Sequence, residues 1–527
     1  MRKYFNTEGI CNPQEHYMVN LGKRMAMISQ LIDRGKYFSI NCGRQYGKTT
    51  TLAALKTYLQ EDYLIASLDF QFLTQAAFRD EYTFSAAFAK RFVLSMRNMP
   101  EADGEAIEGI RKCAEDSKCS MATLFERLSD LCAVSPKPVI LMIDEVDSAS
   151  NYQVFLDFLA LLRGYYLHRK EFPTFRSVIL AGVYDIRNLK QKLRAESEHK
   201  NNSPWNIAAE FPVAMALDET GIEGMLAEYE ADHHMGMDVQ VMAELLYEET
   251  SGYPFLVSRL CQLMDERIPG SQDFPEKRDA WTRAGLLAAE KILLMEKNPL
   301  FESLTGKLEE YPELRRLLYA MLFSGKKAVY NPDNAAIDMA NMLGFVRNES
   351  GNLAVANRIF ETRLYNLFLS EEETTESFSS IAAADRNQFV KNGVLDMELL
   401  LEKFVLHWGD LYSAADERFI EENGRKFFLL YLKPVINGAG NYYIESRTRN
   451  QGRTDVIVDY HGRQYIVEIK IWRGEEYNRR GEEQLAAYLE DYHAQKGYLL
   501  SFNFNKHKVT GVREILCGDK VIYEAVV

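Results

Sequence analysis

The chain has 527 residues, which is too many for one hydrophobic core, so about two to four domains are expected. Hydrophobic residues make up 47% and charged residues 26%, no apolar run is long enough to span a membrane, and the N-terminus lacks the apolar core of a signal peptide. The seven cysteines are scattered without a C-x-x-C pair, which predicts reduced thiols, a cytoplasmic setting and no zinc site. The formal net charge of −14 argues against capture of nucleic acid by the whole surface, while a local basic groove stays open.

The first half of the chain alternates apolar runs with helical patterns. Residues 1–19 are polar with aromatics and are interpreted as an irregular lead-in. Strands are predicted at the apolar runs that begin at Tyr37, Tyr63, Pro138 and Ser177. Helices are predicted over Leu21–Arg34, Thr50–Leu59, Phe84–Met96 and Ala122–Cys132.

A loop rich in small and polar residues joins the first strand to its helix. It reads Gly43-Arg44-Gln45-Tyr46-Gly47-Lys48-Thr49-Thr50. The unpaired N–H groups at a helix start suit phosphate, Lys48 adds a charge for the β and γ phosphates, and Thr49 offers a hydroxyl to Mg²⁺. The usual first glycine of such a loop is replaced by Cys42, and a purely structural loop is the alternative.

The strand from Pro138 ends in two acids, Asp144 and Glu145. Acids at the carboxyl end of a central parallel strand lie at the edge where ligands bind. Asp144 is predicted to hold Mg²⁺ and Glu145 to orient and deprotonate the attacking water. A strand that simply ends in a solvated acidic turn is the alternative.

The middle of the chain predicts two helical modules. Residues 218–294 suggest a lid, in which Arg259 either reaches the phosphates or packs between helices. Residues 310–368 suggest two helices and a β-wing, typical of a winged helix. The helix that would read DNA, Ala335–Met342, has no basic residue, which favours a packing module. The acidic run Ser370–Ser377 is the best candidate for a linker.

The last third of the chain predicts a hairpin with two facing acids. With His461-Gly462 as a two-residue turn, Tyr460 faces Arg463 and Asp455 lies opposite Glu468, with Lys470 on the same face. Facing carboxylates favour a divalent cation, and a lysine beside them suits phosphodiester hydrolysis, as in PD-(D/E)xK nucleases. A surface hairpin is the alternative. Further candidates near this site are Glu422 as a metal ligand, Gln484 and Tyr488 on the next helix, and, for a phosphate backbone, Arg447, Arg449, Arg453, Arg473, Arg479 and Arg480.

Together these motifs resemble the bacterial AAA-ATPase-like proteins, in which a P-loop ATPase is joined to a carboxy-terminal PD-(D/E)xK nuclease-superfamily domain. The resemblance covers nearly the whole chain. It rests on Gly43–Thr50, Leu141–Glu145, Leu180–Asp185, Ser203–Ile207, Arg453–Asp455, Glu468–Lys470 and Gln484. It implies ATP and Mg²⁺ as cofactors, held by Lys48, Thr49, Asp144 and Glu145, and a nuclease-type site at Asp455, Glu468 and Lys470. The same type of ATPase suggests Tyr184 or Asp185 as a γ-phosphate sensor and Arg187 as an arginine finger.

The expected architecture is therefore α/β, with a P-loop AAA-like core, a helical lid, a winged-helix-like module and an α/β PD-(D/E)xK nuclease-like domain. The predicted bounds are 1–216 for the core, 217–300 for the lid, 301–369 for the winged-helix-like module, 370–385 for the linker and 386–527 for the nuclease-like domain. The leading hypothesis is ATP binding and hydrolysis that controls a Mg²⁺-dependent domain acting on DNA or another nucleic acid. The alternative is an ATP-dependent binding or scaffolding protein whose nuclease-like domain is inactive. Assembly into a homo-oligomer is left open.

Overall fold

The computed structural model describes residues 2–97, 99, 104–183, 205–323, 328–373, 388–391, 393–411, 421–436, 440–444, 455–472, 474–492, 494–505 and 508–527. Their contacts divide the chain into two compact units. The first consists of Met1–Gly306 and Asp338–Val346, and the second of Lys307–Ile337 and Arg347–Val527. Among the described helices, none combines the length and the apolar character that crossing a bilayer requires.

A parallel sheet forms the centre of the first unit. Its strands, in spatial order, are β1 (Phe38–Asn41), β4 (Ser177–Gly182), β3 (Val139–Asp144) and β2 (Leu64–Asp69). Ala209 adds a parallel bridge to Phe38 on the other side of β1. Every residue of β3 is buried, as expected for a central strand covered on both faces. Because the strands are parallel, their carboxyl ends meet at one edge, where the predicted acids lie.

Helices cover both faces of this sheet. Their bounds are α1 Gly22–Asp33, α2 Lys48–Leu59, α3 Glu81–Met96, α4 Gly104–Glu115, α5 Met121–Val134 and α6 Gln153–Leu167. One face packs against α1 and α2 through residues such as Ile28 and Leu55. The other face carries an aromatic core that includes Phe84, Phe88 and Phe158. The predicted helices are therefore present, with ends that differ by up to a few residues.

The lid region is helical, as the sequence predicts. Its bounds are α7 Glu219–His233, α8 Val239–Thr250, α9 Pro254–Gln262, α10 Lys277–Ala280, α11 Arg283–Met295 and α12 Pro299–Glu310. The N-terminal lead-in packs against it, since the ring of Phe5 lies 5.2 Å from that of Tyr229 and 5.8 Å from that of Trp281. Arg259 pairs with Glu296 and donates to Gln262, so its guanidinium serves helix packing.

The predicted helix–helix–wing segment is present as well. Its bounds are α13 Pro312–Phe323, α14 Ala335–Met342, β5 Val346–Glu349, β6 Asn352–Val355 and α15 Arg358–Glu373. The wing turns at Ser350 and Gly351, which both have positive φ angles (53° and 88°), the pattern of a two-residue hairpin turn. Part of α14 and the start of β5 belong to the first unit, because Asp338–Val346 lies there.

A mixed sheet of six strands organises the described part of the C-terminal region. Its spatial order is β13-β14-β12-β11-β10-β9, with β11, β12 and β14 parallel and the other neighbours antiparallel. The strands are β9 Gly440–Ile444, β10 Val456–Tyr460, β11 Arg463–Ile471, β12 Lys496–Phe502, β13 Gly511–Cys517 and β14 Lys520–Val526, after a two-stranded β7 Val390–Lys391 and β8 Val394–Leu395. The helices are α16 Met397–Leu411, α17 Glu421–Ile436 and α18 Glu475–Asp491.

Candidate nucleotide site and candidate metal site

The loop from Gly43 to Thr50 wraps around one amine. Gly47 precedes α2 with φ 79°, a left-handed conformation that glycine adopts at little cost. Lys48 is 6% exposed, and its Nζ donates to the carbonyl oxygens of Cys42 and Gly43, at 3.0 Å each. The lysine thus lies inside the loop whose N–H groups would receive a phosphate, which is the arrangement of a P-loop.

The two predicted Mg²⁺ ligands, Thr49 at the start of α2 and Asp144 at the end of β3, are in contact. The Thr49 hydroxyl donates to Asp144 Oδ2 at 2.7 Å, and Asp144 Oδ1 accepts from the N–H of Glu145 at 2.9 Å. A hydroxyl and a carboxylate in contact at a helix N-terminus are oxygen donors of the type that Mg²⁺ prefers next to a phosphate chain. The donor set therefore fits Mg²⁺.

Glu145 has the backbone and the electrostatics of a functional residue. Its φ of 53° is uncommon for a residue other than glycine and costs on the order of 1 kcal/mol. Burial and the neighbouring charge of Asp144 raise its pKa above the ordinary glutamate value, although Lys48 lowers it. A carboxylate with a raised pKa is a better proton acceptor for a water molecule.

Asp69 is a residue of this edge that the sequence analysis missed. It ends β2 and pairs in register with Asp144 across the parallel strands. Burial raises the pKa of Asp69, as does the charge of Asp144, while a hydrogen bond from the N–H of Gln71 lowers it. The signal was available, because the carboxyl ends of neighbouring parallel strands meet at one edge.

Cys42 occupies the place of the missing glycine without strain. Its N–H donates to the carbonyl oxygen of Gly182 at 3.3 Å, which extends the pairing of β1 with β4, and its φ is not positive. Burial raises the pKa of its thiol to about 11, even though Lys48 lowers it. The thiol is therefore protonated at neutral pH, and this position does not need glycine.

The remaining loop residues are held by distant parts of the first unit. The Tyr253 hydroxyl donates to the carbonyl oxygen of Arg44, and its ring lies 4.3 Å from that of Tyr46. A Cβ atom added to Gly43 would lie 2.6 Å from the carbonyl oxygen of Leu343. The helical region after residue 218 and the segment Asp338–Val346 thus both touch the phosphate loop. The sequence predicted the first as a lid but gave no sign of the second.

Gln45 and Thr50 are the remaining predicted residues of the phosphate loop. Gln45 adopts φ 57°, and Thr50 accepts a hydrogen bond from the N–H of Cys11 at 3.1 Å. Of the family-like stretch Ser203–Ile207, the described Trp205 is fully buried and donates to Ser39 Oγ at 2.9 Å, which is a core contact. The sensor and finger candidates Tyr184, Asp185 and Arg187 lie outside the described residues.

The C-terminal hairpin has the predicted register. Strands β10 and β11 are antiparallel, and their pairing begins with Val456 opposite Val467. Asp455 immediately precedes this pair and Glu468 immediately follows it, so both acids lie at the same end of the hairpin. Lys470 follows two residues later on the same face. The three predicted residues therefore lie together at the end of the hairpin.

Each hairpin acid has a basic neighbour. Arg425 on α17 donates to Asp455 Oδ1 at 2.9 Å, and the N–H of Ile469 donates to Asp455 Oδ2 at 2.8 Å. Lys470 Nζ lies 2.8 Å from Glu468 Oε1. Glu468 is 1% exposed, and its Oε2 has no hydrogen-bond partner among the described residues. A buried oxygen without a donor suits a metal ion, whereas each acid already has a basic side chain in contact with it.

Burial dominates the electrostatics of Glu468. Burial and the charge of Asp455 raise its pKa to about 8, against the opposing effect of Lys470. For Lys470, burial lowers the pKa, but the carboxylates of Glu468 and Asp455 outweigh it and raise the pKa above the ordinary value. The lysine is therefore charged, and Glu468 resists losing its proton unless a further cation arrives.

The outer members of the predicted site are placed in part. Gln484 donates to the hydroxyl of Tyr488, so the two share a face of α18 as predicted. The side chain of Glu422 and the arginines at 447, 449, 453 and 473 lie outside the described residues. Arg479 and Arg480 pair with Glu483 and Glu476 of their own helix, at 3.8 and 3.0 Å. Within the described residues, no three metal-ligating side chains form a cluster.

Comparisons with known proteins bear on the first unit. Residues 12–274 match the model of a family described as an AAA-like domain, and this stretch contains the phosphate loop, β3 and most of the lid. No curated protein matches the chain. With the geometry above, the family match shows that the chain carries an AAA-like P-loop ATPase domain, a class of domain that binds ATP.

Several solved structures are similar to the chain. The Walker-type ATPase PABY2304 of Pyrococcus abyssi is 14% identical with a TM-score of 0.45, over 68% of this chain and 99% of that chain. The ORC1 protein of Aeropyrum pernix in complex with DNA is 13% identical with a TM-score of 0.30, over 66% of this chain and 93% of that chain. The ORC2 protein of Aeropyrum pernix, in ADPNP and ADP complexes, is 12% identical with a TM-score of 0.36, over 70% of this chain and 98% of that chain.

Proposed function

We propose that the first unit hydrolyses ATP with the help of Mg²⁺. The observation that carries this proposal is the contact between the Thr49 hydroxyl and the Asp144 carboxylate beside a P-loop lysine. Bound at these two oxygens, Mg²⁺ would neutralise charge on the β and γ phosphates.

The residues of the chain divide the work of hydrolysis. Lys48 exchanges its two carbonyl partners for phosphate oxygens when ATP enters the loop. Glu145 accepts a proton from the water whose oxygen attacks the γ-phosphorus. The bond from that phosphorus to the bridging oxygen breaks, and ADP and phosphate leave. The raised pKa of Glu145 favours the proton transfer.

A phosphate-release assay tests this proposal with two variants. Lys48→Ala should lose ATP binding and hydrolysis together, because the loop loses its phosphate charge. Glu145→Gln should still bind a fluorescent ATP analogue while hydrolysis falls about a hundredfold or more, as expected when a general base is removed. Hydrolysis at the parent rate in both variants would refute the assignment.

A second function is proposed for the C-terminal hairpin, namely metal-dependent cleavage of nucleic acid under control of the nucleotide state. Two observations favour it. Asp455 and Glu468 flank the first pair of the hairpin, and Glu468 Oε2 is buried without a donor among the described residues. A divalent ion there would polarise a phosphodiester and activate a water molecule. Lys470 would balance charge on the phosphate, and Gln484 would line the site.

Incubation with single-stranded, duplex and branched DNA, with Mg²⁺ or Mn²⁺, tests this second function. The expected result is cleavage by the parent and none by Asp455→Ala. ATP, ADP and nucleotide-free arms, repeated with Lys48→Ala, reveal whether the first unit controls the rate. Cleavage that is absent, or unchanged in Asp455→Ala, would favour the alternative of a scaffold with an inactive nuclease-like domain, which the two ion pairs at the hairpin support.

A further inference from the structure

Arg425 is a basic residue of the hairpin site that lies far from it in sequence. Its guanidinium donates to Asp455 Oδ1 at 2.9 Å and to the hydroxyl of Tyr365 on α15 at 3.4 Å. The side chains of Arg425 and Asp455 are only 6% and 15% exposed. The ion pair is thus largely shielded from water. Charges in such an interior position interact more strongly than charges at the surface.

Each acid at the hairpin has its own basic partner. Arg425 lies on Asp455, and Lys470 lies on Glu468. Two facing buried carboxylates are costly unless cations accompany them. Lys470 lies on the hairpin itself, next to Glu468, whereas Arg425 approaches Asp455 from a separate helix.

We propose that Arg425 is a built-in cation of this site, which holds Asp455 in the metal-free protein and must be exchanged for the metal when a divalent ion binds. This inference rests on the metal site proposed at the hairpin. Asp455 Oδ2 keeps the N–H of Ile469 in either state, so Oδ1 is the oxygen over which Arg425 and the metal compete. The hydroxyl of Tyr365 accepts from the same guanidinium, so release of Arg425 from Asp455 would be felt at α15.

Calorimetric titration of Mn²⁺ into the full chain, after EDTA treatment and without nucleotide, tests the exchange. Removing the competing charge in Arg425→Gln should tighten Mn²⁺ binding about tenfold, since a unit charge a few ångströms from a divalent ion weakens its binding. Arg425→Lys keeps the charge and should stay near the parent. Asp455→Asn should abolish the same binding event and so identifies it as the hairpin site.

Thermal melting gives a readout without any activity. In EDTA, Arg425→Gln should melt below the parent, because the largely buried Asp455 then lacks its basic partner. Mn²⁺ should raise the melting temperature of this variant by more than it raises that of the parent. If Arg425→Gln does not fold in EDTA, Tyr365→Phe takes its place in the test. It removes the hydroxyl that accepts from the Arg425 guanidinium and should tighten Mn²⁺ binding about twofold to threefold.

The outcomes separate the two proposals. Equal Mn²⁺ affinity in the parent, Arg425→Gln and Tyr365→Phe, with loss in Asp455→Asn, would overturn the exchange and leave the metal site standing. If neither the parent nor any variant binds Mn²⁺, or if Asp455→Asn still binds it, the metal site is overturned and the exchange with it. Tighter binding in Arg425→Gln that depends on Asp455 would support both.

Discussion

The two acidic sites of this chain differ in what balances their carboxylates. At the phosphate loop, Asp144 is in contact with a hydroxyl and an N–H group, and Lys48 points to carbonyl oxygens of its own loop. At the hairpin, a basic side chain lies on each acid, with Arg425 on Asp455 and Lys470 on Glu468. Asp144 is therefore held by a hydroxyl and an N–H group, whereas each hairpin acid is held by a basic side chain, and the proposed metal at the hairpin would have to replace one of them.

The contact between hydroxyl and carboxylate at the phosphate loop is the feature to break first. Thr49→Val keeps the shape of the side chain but removes the oxygen that Asp144 touches, so Mg²⁺-dependent ATP hydrolysis should fall about a hundredfold. Phosphate release measured against Mg²⁺ concentration checks this. Thr49→Ser restores the hydroxyl and should stay close to the parent. Equal rates in the valine and serine variants would mean that this oxygen is not a metal ligand.

The hairpin side of the comparison predicts a pH dependence of stability. The pKa of Glu468 is about 8 in the folded chain, above its unfolded value, so the native state binds this proton more tightly than the unfolded state. The associated stability is present at low pH and is lost as the pH rises through about 8. Glu468→Gln carries no such proton. Between pH 5 and pH 8 its unfolding free energy should therefore fall less than that of the parent, by about 3 kcal/mol.

Urea denaturation of the full chain at a series of pH values measures this effect. Glu483→Gln is the matched control, because its parent carboxylate lies 58% exposed on α18 and makes only a 3.8 Å pair with Arg479. The control should follow the pH profile of the parent. A profile for Glu468→Gln that coincides with the parent would show that Glu468 is ionised in the folded chain, and the contrast between the two sites would weaken.

Local patterns account for what the sequence predicted at both sites. The hairpin register follows from a two-residue turn, and His461 and Gly462 do have the positive φ angles of 50° and 75° that such a turn requires. Because side chains alternate along a strand, that register alone placed Asp455 opposite Glu468. The phosphate loop and the acidic end of β3 were likewise found from a strand followed by a short motif.

Contacts between distant parts of the chain account for what the sequence could not predict. Arg425 precedes Asp455 by thirty positions and belongs to a helix whose pattern shows only an apolar face. Tyr253 reaches the phosphate loop from the start of α9, and Leu343 reaches it from the segment Asp338–Val346. No spacing rule connects such residues, since their proximity depends on how separate elements pack.

The close approach of Leu343 to Gly43 gives a further prediction for the phosphate loop. A methyl group on Gly43 would lie 2.6 Å from the carbonyl oxygen of Leu343, so Gly43→Ala must displace the loop or the segment Asp338–Val346. Such overpacking costs on the order of 1–3 kcal/mol, and ATP affinity should fall about tenfold. Fluorescent-nucleotide titration measures it. Gly224→Ala, on α7 with open space around the new methyl group, should bind ATP like the parent. Unchanged affinity in Gly43→Ala would show that the loop tolerates movement at this contact.

The smallest effect is expected at the position where the loop departs from the usual motif. Cys42 continues the β1–β4 pairing through its N–H bond to Gly182, at 3.3 Å, and its φ is not positive. Cys42→Gly should therefore change ATP hydrolysis by no more than about twofold and cost about 0.5–1 kcal/mol of stability from the added freedom of the unfolded chain. Cys42→Ser, which keeps a side chain, should match the parent in both. A tenfold or larger gain of activity in Cys42→Gly would instead show that the side chain at position 42 limits phosphate binding.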